Sequence, residues 1–111
     1  MASTNGSARR RVVVSGLGAI TPLGLNINEH WDALVNGRSG IARITQFDPS
    51  PYPTQIAGEI KGFDAGKYMN VKEARRMARC SQLAIAAAQE ALTDAGLSGG
   101  FAEPDRVGAL M

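Results

Sequence analysis

Lys72, Arg75, Arg76 and Arg79 recur at i, i+3, i+4 and i+7, the spacing that lines four cations along one face of a helix. Such a stripe is poorly suited to move protons at neutral pH. What it can do is attract an acidic partner and speed its encounter; its plain alternative is a solvated face partly paired with Glu73. Cys80 follows at once, inside what reads as the same helix. A mid-helix thiol in apolar company is normally inert packing; the alternative, with Arg76 and Arg79 close in sequence, is a reactive but non-catalytic thiol. His30, the single histidine, sits beside Trp31 and reads as surface or half-buried filler. One cysteine and one histidine exclude an internal disulfide and a Cys/His metal site. No catalytic, cofactor-binding or metal-binding residue is therefore assigned in the chain.

The elements that must position these groups begin with Arg11-Val12-Val13-Val14-Ser15-Gly16-Leu17-Gly18-Ala19-Ile20-Thr21-Pro22-Leu23-Gly24. Three consecutive valines without alternation predict a strand covered on both faces, in the middle of an α/β layer. Gly16, Gly18 and Gly24 permit backbone angles or close approaches that a side chain forbids, and Pro22 fixes the exit of the loop. Gly16-Leu17-Gly18 imitates a dinucleotide fingerprint, but the third glycine would fall at Thr21 and a proline follows where the phosphate-binding helix should start. Arg9-Arg10-Arg11 before the valines imitates a secretory leader, yet glycines and a proline break its apolar core and no clear cleavage pattern follows.

Asn26-Ile27-Asn28-Glu29 has capping-box spacing, and Ile27, Trp31, Leu34 and Val35 then mark one face of a short helix ending at Gly37. Gly40 to Ile44 can be extended, Asp48 to Pro53 is irregular because of its prolines, and Gln55 to Ile60 reads as a short strand weakened by Gly58. A second capping-box spacing, Asn70-Val71-Lys72-Glu73, opens the longest predicted helix, which runs to Gly96. Its second half, from Leu83 to Ala88, is small and apolar almost all round, as in a helix packed on several sides. Arg106 to Met111 reads as a second buried strand in which the chain stops, so the sequence is expected to be the N-terminal part of a larger α/β protein.

The totals agree with an ordinary globular chain. Of 111 residues, 44% are hydrophobic, and a net charge of +2 is too small to argue for nucleic acid. No apolar run has spanning length, so no membrane contact is expected, and a reducing cytoplasm or organelle matrix fits the single cysteine. Residues 1–9 are expected to be a disordered lead-in. Asn5-Gly6-Ser7 is formally a glycosylation sequon, with meaning only in a secreted chain.

Four blocks in order, VVVSGLGAITPLG, WDALVNGRSGI, FDPSPYPTQIAGEI and KEARRMARCSQLAIAAAQEALTDAGL, resemble the start of the elongating β-ketoacyl-[acyl-carrier-protein] synthases. The resemblance covers residues 10–111 and implies the N-terminal part of a thiolase-like layered α/β/α/β/α fold, usually homodimeric. It implies an acyltransferase of fatty-acid biosynthesis, joining an acyl thioester to malonyl-acyl carrier protein by decarboxylating Claisen condensation. The family's nucleophilic cysteine, two histidines and lysine lie beyond Met111, so the chain alone is expected to be inactive. By the same resemblance, Lys72, Arg75 and Arg76 match the basic positions that receive the acidic, phosphopantetheine-bearing carrier; Arg79 has less claim. The sequence departs from the family at Ala78, where an acid is common, and at Cys80, where an aromatic is common. A non-catalytic, chain-length-factor-like subunit of a polyketide pathway would share the fold and carrier contacts, and the residue at the nucleophile position separates the two. A truncation without function is the third possibility. Thiolase proper is disfavoured by the basic helix and the GLGAITPLG loop.

Overall fold

A computed structural model of the chain describes residues 8–111. The lead-in up to residue 7 and the Asn5-Gly6-Ser7 sequon lie outside the described residues. In chain order come helix α1 (Ile27–Val35), strands β1 (Ile41–Arg43) and β2 (Ile56–Gly58), a 3-10 turn at Ala65–Lys67, helix α2 (Val71–Ala74), helix α3 (Arg79–Asp94) and a 3-10 turn at Pro104–Arg106.

The centre of the arrangement is the contact between the glycine segment and α3. Gly16 and Gly18, two residues apart, face Ala87, Ala91 and Ala95, which are spaced by one helical turn. A Cβ on Gly18 would collide with the Ala87 carbonyl, and one on Gly16 with the Ala91 carbonyl. Neither glycine has a positive φ. Close approach, not an unusual backbone angle, is what these glycines supply.

From Thr21 the chain turns tightly. The Thr21 N–H donates to Gly24 O at 2.9 Å, and Gly24 N–H returns the bond to Thr21 O at 3.2 Å. Pro22 rests against Gly40, just before β1, and against Gly58, the last residue of β2, in the antiparallel β1–β2 pair. That pair sets Ile41 opposite Gly58, Ala42 opposite Ala57 and Arg43 opposite Ile56. Helix α1 begins as its sequence predicts: Asn26 Oδ1 accepts the Glu29 N–H at 2.9 Å, while Glu29 Oε2 accepts the Leu25 N–H at 2.8 Å. It ends before Gly37, whose φ is +65°.

Three expectations are corrected. Val12, Val13 and Val14 are 92%, 72% and 79% exposed and pair with no strand among the described residues. A strand needs hydrogen-bonding neighbours, and the β1–β2 ribbon is a separate sheet of two. The terminal segment is likewise no strand: it follows the turn at Pro104–Arg106 and leaves Leu110 and Met111 fully exposed. The single long helix is in fact two, because Ala78 is extended (φ −62°, ψ 148°).

The described residues do not close a core of large side chains. The buried hydrophobic residues are Ala33, Ala74 and Ala86, whereas Trp31, Leu34 and Val35 on the apolar face of α1 remain exposed. The apolar second half of α3 is half-buried around Ala86, under the loop that starts at Gly16.

Candidate functional site

The break at Ala78 rearranges the basic stripe. Lys72 lies within α2, Arg75 is its C-cap, Arg76 is in the turn, and Arg79 is the first residue of α3. All four are exposed. Arg79 is engaged within the chain: its Nη2 donates to Ile60 O at 3.0 Å and its guanidinium lies 5.7 Å from the centre of the Phe63 ring. Lys72, Arg75 and Arg76 make no ion pair with any described residue, Glu73 included. The stripe of four therefore reduces to three uncommitted cations on one turn of helix and the turn after it.

Helix α2 starts where Asn70 Oδ1 accepts the Lys72 N–H at 2.8 Å; the expected bond to the Glu73 N–H is not made. Its exit is tightened by bonds from Arg76 N–H to Glu73 O and from Met77 N–H to Ala74 O, 2.9 and 3.1 Å. Helix α3 then begins without a side-chain cap, since Ala78 has no side-chain oxygen to offer. Cys80, expected in apolar mid-helix surroundings, instead lies exposed in the first turn of α3. His30 is half-buried, its Nδ1 2.8 Å from Thr21 Oγ1, which also accepts the Leu23 N–H at 3.1 Å.

Besides Arg79, four polar side chains of α3 hold the neighbouring backbone, and residue type alone did not reveal them. Glu90 accepts the N–H groups of Ala19 and Ile27, each at 2.9 Å through a different oxygen, and so clamps both ends of the loop between them. Asp94 Oδ2 accepts the Leu17 N–H at 2.9 Å. Gln82 Nε2 donates to Ala74 O at 2.7 Å and reaches Met77 O at 3.4 Å, and Gln89 Nε2 donates to Tyr68 O at 3.0 Å. The available signal was a pair of carboxylates, Glu90 and Asp94, one turn apart just after the apolar run of α3.

Leu17, Ile27, Tyr68, Glu90 and Asp94 help to line an open cleft of about 440 Å³. Its carboxylates are tied to backbone amides, so it reads as scaffold. On the ribbon, Glu59 accepts from the Thr45 hydroxyl at 2.8 Å and from the Thr45 and Gln46 N–H groups. The Thr45 bonds, hydroxyl first, hold the Glu59 carboxyl below its usual pKa. No group of three or more metal-ligating side chains is present among the described residues.

Residues 9–111 match the model of the beta-ketoacyl synthase N-terminal domain. The chain belongs to the beta-ketoacyl synthase family. Among its curated relatives in that family, the 3-oxoacyl-[acyl-carrier-protein] synthase 2 of Synechocystis sp. is 44% identical over 103 residues, 93% of this chain. Those of Staphylococcus aureus (strain COL) and Vibrio cholerae are 42% and 43% identical over 92% and 94% of it. The chain spans about a quarter of the length of these synthases, 25% in each case. A solved structure described as the ishigamide ketosynthase/chain length factor superposes with a TM-score of 0.70 at 37% identity, over 88% of this chain and 23% of that one. The fold is thus the thiolase-like α/β class of the ketoacyl synthases. No described helix is long and apolar enough to cross a membrane.

Proposed function

We propose that the chain forms the carrier-docking helix and part of the scaffold of a 3-oxoacyl-[acyl-carrier-protein] synthase of fatty-acid biosynthesis. The observation that carries this reading is 44% identity over 93% of the chain to a protein of that name. The reaction takes an acyl group onto a cysteine thiolate, decarboxylates malonyl-carrier protein and joins the two, which requires a nucleophile and stabilisation of an enolate and an oxyanion. By resemblance to the family those groups come from outside these 111 residues.

What the chain's own residues contribute is recognition. Exposed and unpaired, Lys72, Arg75 and Arg76 present positive charge that would steer an acidic acyl carrier protein toward the enzyme and raise its on-rate more than its affinity. The assembly in which this occurs is proposed to be a homodimer in the cytoplasm or an organelle matrix.

Exchanging the matching quarter of the Synechocystis relative for residues 9–111 tests the reading. A chimera that condenses carrier-bound substrates within about tenfold of the parent, or about 1.4 kcal/mol in barrier, is expected. A folded chimera without condensing activity would refute it. The structural match to a ketosynthase/chain length factor favours a second reading, a non-catalytic polyketide subunit that pairs with an active partner. A residue other than cysteine at the nucleophile position would select it.

A further inference from the structure

We infer that Gln82 and Gln89 are positioning residues, which fix α2 on α3 and so hold Lys72, Arg75 and Arg76 as one platform for the acidic carrier protein. The inference rests on the carrier-docking reading above.

Helix α2 has four residues, a single turn, and a helix that short does not hold itself in water. Its exit contains neither a glycine nor a proline to fix its direction, and the next helix starts without a side-chain cap. Beyond its Asn70 cap and its contact with the 3-10 turn before it, two features tie it down. One is the burial of Ala74, which is only 6% exposed. The other is a pair of side-chain amides from α3, one at each end. Gln89 donates to Tyr68 O, two residues before the Asn70 cap, and Gln82 donates to Ala74 O, the last residue of α2.

Positions 82 and 89 are seven residues apart, so the two amides project from nearly the same face of α3. Lys72 lies between the two anchored carbonyls, and Arg75 and Arg76 follow the second directly. Gln82 also reaches Met77 O at 3.4 Å, so its amide spans the turn that carries Arg75 and Arg76. Both glutamines are uncharged. They add nothing to the attraction for an acidic partner except through the backbone they hold, which separates placement of the cations from their charge.

The test titrates the Synechocystis chimera described above with purified holo-acyl carrier protein, reading Kd and stoichiometry, with amide exchange followed in α2 and α3. Methionine has the length of glutamine without its donor, so Gln82→Met with Gln89→Met is the informative variant. It should raise Kd about fivefold, the scale of one neutral hydrogen bond. Stoichiometry should stay the same, exchange at Ala74 and Arg75 should quicken, and protection at Ala86 to Glu90 should persist. Making the same pair in an Ala78→Ser chimera, which supplies the missing cap, offsets any loss of folding. An unchanged Kd with α3 protected overturns the inference, as does a fall in stoichiometry at unchanged Kd, which would mean that the glutamines only keep the chain folded. Lys72→Ala, Arg75→Ala and Arg76→Ala together serve as the control. If that triple variant binds like the parent, the carrier reading fails and takes the inference with it; if it binds weakly while the glutamine pair has no effect, only the inference fails.

Discussion

Gly18 faces the Ala87 carbonyl of α3 so closely that a Cβ there must displace helix backbone, which has little room to yield. Gly18→Ala should therefore destabilise the chain by about 1–3 kcal/mol, the cost of overpacking, read from the midpoint of urea unfolding. Glu59 makes a different prediction. Its carboxyl is held below the ordinary value of 4.5 by the Thr45 hydroxyl first and the Thr45 amide second. A carboxyl whose pKa is lower folded than unfolded contributes stability above its unfolded pKa and loses it as pH falls through the folded one. Acidification below 4.5, and not alkali, should loosen the Thr45–Gln46 anchor. In a titration followed by NMR the Glu59 midpoint should lie below 4.5, and Thr45→Ala should move it up toward that value; an unmoved midpoint would contradict the assignment.

At the scale of elements, the junction of α2 and α3 is the weak point, because Ala78 occupies an N-cap without a side-chain acceptor. Ala78→Ser should raise stability by about 1 kcal/mol, measured by thermal or urea unfolding, with the helix content unchanged. The same junction shows what the sequence could and could not reveal. Asn26 and Gly37 bound α1 as their chemistry predicts, and the glycines at 16 and 18 announced a close approach to something. Alanine, however, is the best helix former, so nothing local signalled that the backbone breaks at 78. The three cations were legible by type. The amides of Gln82 and Gln89 were not, since a glutamine that anchors a carbonyl and one that faces water are the same residue in a sequence. Residues 11–14 carry a strand's composition, but composition does not say where the hydrogen-bonding partners are, and none lies among the described residues.

Across the whole molecule, only alanines are buried among the described hydrophobic residues, while Val12 to Val14, Trp31, Leu34 and Val35 are exposed, the kind of apolar surface that marks an interaction site. The chain spans about a quarter of the length of the synthases it resembles. On the reading proposed above, what these residues would contribute to the reaction is capture of the carrier. The most direct test is Arg75→Glu with Arg76→Glu in the Synechocystis chimera, comparing kcat/KM for carrier-bound substrates with that for small thioester analogues. A fall of about tenfold or more for carrier-bound substrates, with the analogues unaffected, is the predicted result for a docking surface that acts by charge. Equal loss with both substrates, or no loss with either, would contradict it.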